Sequence, residues 1–173
     1  MSSIKIAVIS DTHRKFNLAK EALDHLVSLG AEYIVHAGDI CEYDTISYIK
    51  NLDLPYIAVY GNNDAHMVQY HNEFKLVKEP YYFKIKEIKF KLMHLPFYMT
   101  PDCDVVIFGH THIFEAKKIN ETLFLNPGEV CAREKPKSEY VLLEVLEDKF
   151  MVKYFAKDIK TDEILTKEYK FER

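Results

Sequence analysis

The chain has 173 residues, of which 48% are hydrophobic and 29% charged, and its formal net charge is −4. This composition excludes an intrinsically disordered chain and predicts a single domain over residues 1–173 with a hydrophobic core of normal size. The chain has no dense block of Lys and Arg, so it lacks the clustered positive charge on which general nucleic-acid binding depends.

Neither a membrane span nor a secretory signal is predicted. No uncharged apolar run approaches the roughly 18 residues that a span requires, and Asp11 interrupts the N-terminal segment before a signal-like stretch is complete. The three cysteines, Cys41, Cys103 and Cys131, are widely spaced and form no CxxC pair. We therefore expect a cytoplasmic protein without membrane association.

The first 60 residues alternate between strand and helix patterns. Short apolar runs typical of buried strands cover residues 4–9, 33–37 and 56–60. A helix is predicted over residues 17–30, with Asn17 as its N-cap and Gly30 as its C′ residue, and another over 43–52. Strands separated by helices predict a parallel sheet with right-handed crossovers.

The second half of the chain consists of shorter strand-like runs, several of which alternate apolar residues with Lys. These runs cover residues 81–94, 104–109, 114–119, 122–126, 140–146 and 149–156. We expect them to build a second sheet that packs on the first. The predicted fold class is therefore α/β.

Polar residues follow five of the predicted strands at the point where each strand ends. They are Asp11 and His13, Gly38 and Asp39, the run from Gly61 to Asp64, His94, and the GHTH run at Gly109, His110, Thr111 and His112. Because the carboxyl ends of parallel strands face a common crevice, these side chains are expected to meet in one place.

The metal donors in this set are carboxylate, amide oxygen and imidazole, without thiolate, and suit Mn, Fe, Zn or a similar divalent ion. Seven donors exceed the needs of one ion and fit two ions about 3.5–4 Å apart, with Asp39 as the carboxylate most suited to bridge them. Taken singly, Asp11 with His13 also fits a helix-entry loop, the GD and GNND motifs fit turns, and His94 fits an ordinary hydrogen-bonded histidine. Their joint occurrence favours a metal centre.

These motifs together resemble the signature of the calcineurin-like metallophosphoesterases. The small single-domain prokaryotic phosphodiesterases of this superfamily are the most similar group, and they also carry an NPG segment like that at residues 126–128. The resemblance covers about residues 4–146. It implies a four-layer α-β-β-α sandwich of two mixed sheets flanked by helices.

The resemblance also implies roles for individual residues. Asp11, His13 and His112 would bind the first metal ion, Asn62, His94 and His110 the second, and Asp39 would bridge them. Asp39, Asn62, Asn63 and His94 would be the catalytic residues. The implied cofactor is a pair of divalent ions, with Mn expected first and Ni, Fe, Zn or Mg as alternatives. The implied chemistry is in-line attack on phosphorus by a metal-bridging hydroxide, without a phosphoenzyme.

Two features depart from the family pattern. Asn63 stands where many members have a His that helps to stabilise or protonate the leaving oxygen. As a substrate-binding residue, Asn63 can donate a hydrogen bond to that oxygen but cannot transfer a proton. We therefore expect a preference for esters whose leaving group needs little protonation, with His66 either a substitute acid or a surface histidine. The segment LPFYMTPDC at residues 95–103 is short, and its apolar residues either pack, line a pocket or contact a partner. Arg133 either contacts a substrate phosphate or is solvated.

Three functions remain open on these grounds. The first is hydrolysis of small phosphodiesters, and the second is hydrolysis of phosphomonoesters at the same metals. The third is a protein-binding scaffold, because the phosphoesterase-like subunit of the eukaryotic retromer is similar in its GHTH and NPG segments. A scaffold is free to lose metal ligands, whereas this chain retains all seven, so an enzyme acting on a small phosphoester is favoured. Assembly into a homo-oligomer is left open.

Overall fold

A computed structural model describes residues 3–173 of the chain. The helices are α1 (Phe16–Ser28), α2 (Tyr43–Asn51) and α3 (His71–Phe74), and a 3₁₀ helix over Ala65–Tyr70 precedes α3. None of the helices in this part of the chain is long and apolar enough to cross a membrane. The strands are β1 (Ile4–Ile9), β2 (Tyr33–His36), β3 (Tyr56–Ala58), β4 (Tyr81–Ile85), β5 (Ile88–Leu92), β6 (Val105–Ile107), β7 (Glu115–Ile119), β8 (Thr122–Asn126), β9 (Lys137–Val145), β10 (Lys149–Asp158) and β11 (Ile164–Glu172).

The strands form two mixed sheets. The first has the order β11-β10-β9-β1-β2-β3, in which β1, β2 and β3 are parallel and β9, β10 and β11 are antiparallel additions. The second has the order β4-β5-β6-β8-β7, with β5, β6 and β8 parallel. This arrangement confirms the predicted fold of two mixed sheets flanked by helices.

Alternation along the strands divides the core into separate layers. In β1, Ile6 and Val8 point into the cluster between the two sheets, while Ala7 and Ile9 face the cluster that includes residues of α1 and α2. A smaller cluster lies on the other face of the second sheet, where Val106 and the other buried residues pack against the segment 95–103. That short segment thus covers the outer side of the second sheet.

The segment 95–103 is held by a buried cation. Lys91 on β5 is fully buried, and its ammonium group donates to the carbonyl oxygens of Tyr98 (3.0 Å) and Thr100 (2.9 Å) and pairs with Asp102 at 2.5 Å. Met99 packs against the sheet, but Phe97 remains 74% exposed. Of the three roles considered for the apolar residues of this segment, packing therefore fits Met99. It does not fit Phe97, for which lining a pocket or contacting a partner remains.

Some sequence predictions of local structure were wrong. The runs at 140–146 and 149–156 lie in β9 and β10 of the first sheet, because β9 pairs with β1 instead of joining the second sheet. The strand β11 was not predicted. Asn17 lies inside α1, which begins at Phe16 after Lys15 as N-cap, whereas Gly30 has φ +89° just after the helix, as predicted for a C′ glycine.

Candidate metal centre

The loops that follow β1, β2, β5 and β6 are joined by backbone hydrogen bonds at one edge of the two sheets. Asp11 N donates to the Gly38 carbonyl at 3.0 Å, His13 N donates to the Asp39 carbonyl at 2.9 Å, and Gly109 N donates to the His94 carbonyl at 3.2 Å. His110 N donates to Oδ2 of Asp11 at 3.1 Å and His94 Nδ1 donates to the Ala37 carbonyl at 2.8 Å, so strand ends from both sheets meet here. The structure brings all seven predicted donors together.

Five of the seven donors have left-handed backbone conformations, which residues other than glycine rarely adopt. They are Asp11 (φ 53°), His13 (φ 46°), Asp39 (φ 55°), His110 (φ 68°) and His112 (φ 59°). Each such conformation costs on the order of 1–3 kcal/mol and persists only where the surrounding contacts impose it. Strain concentrated in this way is typical of a functional site.

Asp39 lies at the middle of the cluster and is 1% exposed. Asn63 donates to its carboxylate twice, from the backbone N–H at 2.9 Å and from the side-chain amide at 2.7 Å. His94 Nε2 lies 3.4 Å and His13 Nε2 3.7 Å from Oδ2 of Asp39. Burial alone would raise the pKa of Asp39, but the hydrogen bonds from His94 and Asn63 outweigh it and hold the pKa well below its usual range.

The first group of donors leaves buried polar atoms without partners. Oδ2 of Asp11 accepts hydrogen bonds from Ser10 Oγ (2.6 Å) and His110 N (3.1 Å), while Oδ1 lies 3.2 Å from His112 Nε2. Among the described residues, Oδ1 of Asp11 and Nε2 of His13 are buried without a hydrogen-bond partner. Orphaned donor and acceptor atoms of this kind are rare in folded proteins, and a bound cation would satisfy both.

The second group is organised around the amide oxygen of Asn62. This oxygen lies 2.9 Å from His94 Nε2 and 3.1 Å from His110 Nδ1. The other ring nitrogen of His94, Nδ1, donates to the Ala37 carbonyl at 2.8 Å, so its Nε2 is the nitrogen directed into the cluster. The residues present thus suit a divalent ion that takes oxygen and imidazole ligands.

The carboxylates of the cluster raise the pKa of two of the histidine donors. Burial would lower the pKa of His94 and of His112, but the nearby carboxylates of Asp39 and Asp11, respectively, raise both. The guanidinium of Arg133, 3.1 Å from His112 Nε2, opposes a proton on that nitrogen. Metal binding in such a cluster replaces protons on the ligands with the charge of the ion.

Glu129 is a site residue that sequence reasoning missed. It is fully buried, and its Oε2 accepts a hydrogen bond from His112 Nδ1 at 2.5 Å, which directs His112 Nε2 toward Asp11. Its Oε1 accepts the backbone N–H groups of Glu134 (2.8 Å) and Lys135 (3.1 Å). A carboxylate behind an imidazole ligand fixes the ring tautomer and orientation. The position after an NPG turn carries no sequence signal for this role.

Asp64, the last residue of GNND, was also missed as a structural element of the site. Its buried carboxylate accepts the backbone N–H groups of Cys41 (2.7 Å), Gly61 (2.7 Å) and Ile40 (3.1 Å), so it ties the loop after β2 to the loop after β3. Gly61 allows this approach, because a Cβ atom there would lie 2.2 Å from Asp39 N. Asn62 thereby comes close to His94.

Two cysteines adjoin the site although no thiolate was predicted there. Cys131 offers a sulfur within 4.8 Å of the ligand atoms of His13 and His112, and Cys41 Sγ lies 3.6 Å from His13 Nδ1. Burial raises the pKa of Cys41 to about 12, so it is a thiol at neutral pH. Neither cysteine belongs to a sequence motif that would have marked it.

The remaining candidates line a cleft of about 610 Å³ beside the donors. Asn63, Arg133 and His66 all contribute to its walls. His66 Nε2 donates to the Cys41 carbonyl at 2.9 Å, so this nitrogen is already engaged. Arg133 Nη2 lies 3.1 Å from His112 Nε2, so this guanidinium adjoins the predicted ligands.

Comparison with known proteins agrees with this geometry. The sequence model of the calcineurin-like phosphoesterase superfamily domain matches residues 4–148. A phosphodiesterase of Methanocaldococcus jannaschii is 29% identical over 141 residues, which are 74% of this chain and 85% of that protein.

Solved structures share the fold over nearly the whole chain. The structure of a novel archaeal phosphodiesterase has a TM-score of 0.75 at 24% identity, covering 96% of this chain and 100% of that one. Zinc-bound Vps29 from Entamoeba histolytica has a TM-score of 0.73 at 22% identity, covering 96% and 99%. The match to the family model spans most of the chain and includes every predicted donor, so the chain belongs to the calcineurin-like phosphoesterase superfamily.

Proposed function

We propose that this chain is a metal-dependent phosphodiesterase that uses two divalent ions to hydrolyse small phosphodiesters. The observation that carries the proposal is the convergence of the seven donors, Asp39 among them, with buried atoms of Asp11 and His13 lacking partners. Relatives named as phosphodiesterases support the substrate class.

Asp11, His13 and His112 would hold one ion, Asn62, His94 and His110 the other, and Asp39 both. Bound ions would make water a stronger acid, and hence supply a nucleophile near neutral pH, and would polarise the phosphoryl group. Manganese is the first ion to test.

The residues around the ions have separate tasks. Glu129 and the Ala37 carbonyl orient His112 and His94, and Asn63 orients the Asp39 carboxylate through two hydrogen bonds. Arg133 would contact a phosphate oxygen of the substrate, since a guanidinium matches phosphate geometry. Cys41, a thiol of raised pKa, is a poor nucleophile, which favours direct hydrolysis without a phosphoenzyme.

The test is to load metal-free protein with Mn, Ni, Mg or Zn and to compare hydrolysis of bis(p-nitrophenyl) phosphate with that of p-nitrophenyl phosphate. We expect metal-dependent kcat/KM for the diester to exceed that for the monoester at least about tenfold. Hydrolysis of neither ester by protein with two bound ions would favour the scaffold alternative. Metal binding alone does not separate these readings, because Vps29 of this fold has been solved with zinc.

Asp39→Asn is expected to lower kcat for the diester by more than about 100-fold and to reduce the bound metal, because it removes the carboxylate shared by the two ions. Metal content is measured by elemental analysis alongside activity. Asp53→Asn, a change at an exposed loop residue, is the matched control. Activity near wild type with unchanged metal content would contradict the proposed bridging role.

Asn63→His is expected to raise monoesterase activity relative to diesterase activity, because an imidazole can protonate a leaving oxygen and an amide cannot. The measurement is the ratio of kcat/KM for the two nitrophenyl esters. His66→Asn is the control and should leave that ratio unchanged, since His66 Nε2 is engaged with the Cys41 carbonyl. An unaltered ratio in Asn63→His would count against this account of substrate preference.

A further inference from the structure

The cleft beside the candidate metal centre carries more positive charge than one phosphodiester requires. Arg14, Lys15 and Arg133 line it, and none of its lining residues is Asp or Glu, although Arg133 pairs with the neighbouring Glu134 at 3.3 Å. In the whole chain, by contrast, acidic residues outnumber Lys and Arg by 27 to 23. A local excess of cations in an acidic protein attracts anionic ligands to that place.

Arg14 and Lys15 follow His13 directly and lead into α1. Both are exposed, and within residues 3–173 neither side chain forms a hydrogen bond or a close ion pair, although the charge of Arg14 acts on Glu42. Many other cations of the chain are paired, as Lys20 is with Asp24 at 2.6 Å. The two unpaired cations are therefore available to a ligand in the cleft.

Their position relative to the predicted ligands is fixed by the backbone. His13 has φ 46° and its N–H bonds the Asp39 carbonyl, while Lys15 N donates to the Thr12 carbonyl at 3.2 Å. The backbone from His13 to the start of α1 is therefore held in one conformation. An anion bound by Arg14 and Lys15 would lie beside the scissile phosphate and apart from it.

The remaining walls of the cleft include apolar surface. Leu18, Ala132 and Ile159 contribute it, and Ile159 is 43% exposed. The volume of about 610 Å³ falls within the range of ligand pockets for small molecules and exceeds what a single phosphate needs. Apolar surface next to cations suits a nucleoside-sized group that carries a phosphate.

We propose that this cleft binds a second phosphate group of the substrate. The preferred substrates would then be phosphodiesters in which one esterified group is a phosphorylated nucleoside. This inference rests on the proposed phosphodiesterase function and adds the substrate class. Arg14 would bind the second phosphate through paired N–H groups, and Lys15 would bind it as a point charge.

The test uses two substrates that differ by one phosphate. They are the p-nitrophenyl ester of thymidine 5′-phosphate and the same ester with an added 3′-phosphate. For the wild-type, metal-loaded enzyme we expect kcat/KM to be at least about tenfold higher for the 3′-phosphorylated ester, as one charge-assisted contact provides. In the double variant Arg14→Gln with Lys15→Gln, the ratio should fall close to one. Lys167→Gln, at an exposed position of β11, should keep the wild-type ratio.

Equal kcat/KM for the two esters in wild type, or a preference retained by the double variant, would overturn the inference while leaving the phosphodiesterase proposal intact. Hydrolysis of neither ester would count against the phosphodiesterase proposal instead. In that case calorimetry of thymidine 3′,5′-bisphosphate against thymidine 5′-phosphate decides the inference. Binding of the bisphosphate at least about tenfold tighter, lost in the double variant, supports it, and equal affinities overturn it.

Discussion

At the scale of single residues, the site depends on side chains that hold other side chains. His94 and His112 each use Nδ1 for a hydrogen bond within the protein, to the Ala37 carbonyl and to Glu129, and direct Nε2 into the cluster. The ring orientation is therefore set before any ion arrives. Such preorganisation lowers the cost of ligand ordering when metal binds.

Glu129→Ala is expected to weaken binding of the ion held by Asp11, His13 and His112 by about 10–100-fold, because His112 loses the carboxylate that fixes its tautomer. Glu129→Gln should retain much of the affinity, since its amide oxygen can accept the same hydrogen bond from Nδ1. The measurement is competition with a chelating dye, together with the ring-nitrogen NMR shifts of His112.

Glu121→Ala is the control for Glu129, because the Glu121 side chain is 85% exposed and pairs with Lys118 instead of with a predicted metal ligand. If Glu129→Ala left both the metal affinity and the His112 tautomer unchanged, the positioning role would be wrong. Loss of affinity equal in the Ala and Gln variants would also contradict it, since a hydrogen-bond acceptor would then not be the feature that matters.

The contrast between Asp39 and Glu129 shows how far the sequence predicts the site. Asp39 follows an apolar run that ends in Gly, so strand-end position and donor type together indicate a ligand. Glu129 and Asp64 act through burial and through backbone groups distant in sequence, such as Cys41 N for Asp64. Neither effect leaves a local pattern, so these supporting residues emerge only from the fold.

At the scale of elements, strand identity is predicted better than strand partners. Alternation marks residues 140–146 and 149–156 as strands but does not say which edge they join. The partner of β9 is β1, with Val141 opposite Val8. This pairing closes a loop of more than 100 residues and depends on the free edge that β1 offers opposite β2. The exposed strand β11 has one antiparallel partner, β10, and mostly polar residues, which weakens its own signal.

The segment 95–103 is an element whose conformation depends on one buried cation. Lys91→Met is expected to release this segment, because the carbonyl groups of Tyr98 and Thr100 and the carboxylate of Asp102 lose their shared donor. We expect a loss of about 3 kcal/mol or more in the free energy of unfolding and faster proteolysis within the segment. Urea denaturation and limited proteolysis with mass spectrometry measure these two effects.

Lys89→Met is the matched control for Lys91, since Lys89 lies on the same strand with its side chain exposed. It should leave both stability and cleavage rate close to wild type. Equal cleavage rates for Lys91→Met and wild type would show that the segment is held by its apolar contacts, such as that of Met99, and not by the cation.

At the scale of the whole molecule, the site lies where two separately packed layers converge. One layer buries apolar residues between the sheets and the other buries them between the first sheet and the helices. The donors from β1 and β2 belong to the first sheet, and His94 and His110 follow strands of the second. The geometry of the site therefore depends on how the two sheets pack. A change that loosens this packing is expected to displace the donors of one sheet relative to those of the other.

Acid should weaken the whole fold through His36. This ring is 1% exposed at the end of β2, where Nδ1 accepts the Gly38 N–H at 3.1 Å and Nε2 lies 3.0 Å from Thr12 Oγ1. Burial lowers the pKa of His36 from 6.5 to about 3. As the pH falls, the unfolded chain therefore binds a proton at His36 near pH 6.5, whereas the folded chain binds it only near pH 3. The stabilisation is complete above pH 6.5 and is lost progressively as the pH falls from 6.5 toward 3.

For metal-free protein, this difference predicts that moving from pH 7 to pH 5 removes about 2 kcal/mol of unfolding free energy through His36 alone. Urea denaturation at both pH values measures the loss, and His36→Gln should show a loss smaller by about that amount, although it is less stable at pH 7. His71→Gln, at an exposed position, should keep the wild-type pH dependence. If His36→Gln and wild type lost the same stability between the two pH values, the acid sensitivity would belong to other groups. Protonation of the buried His36 ring would then not be the event that destabilises the sheet edge on which the donors lie.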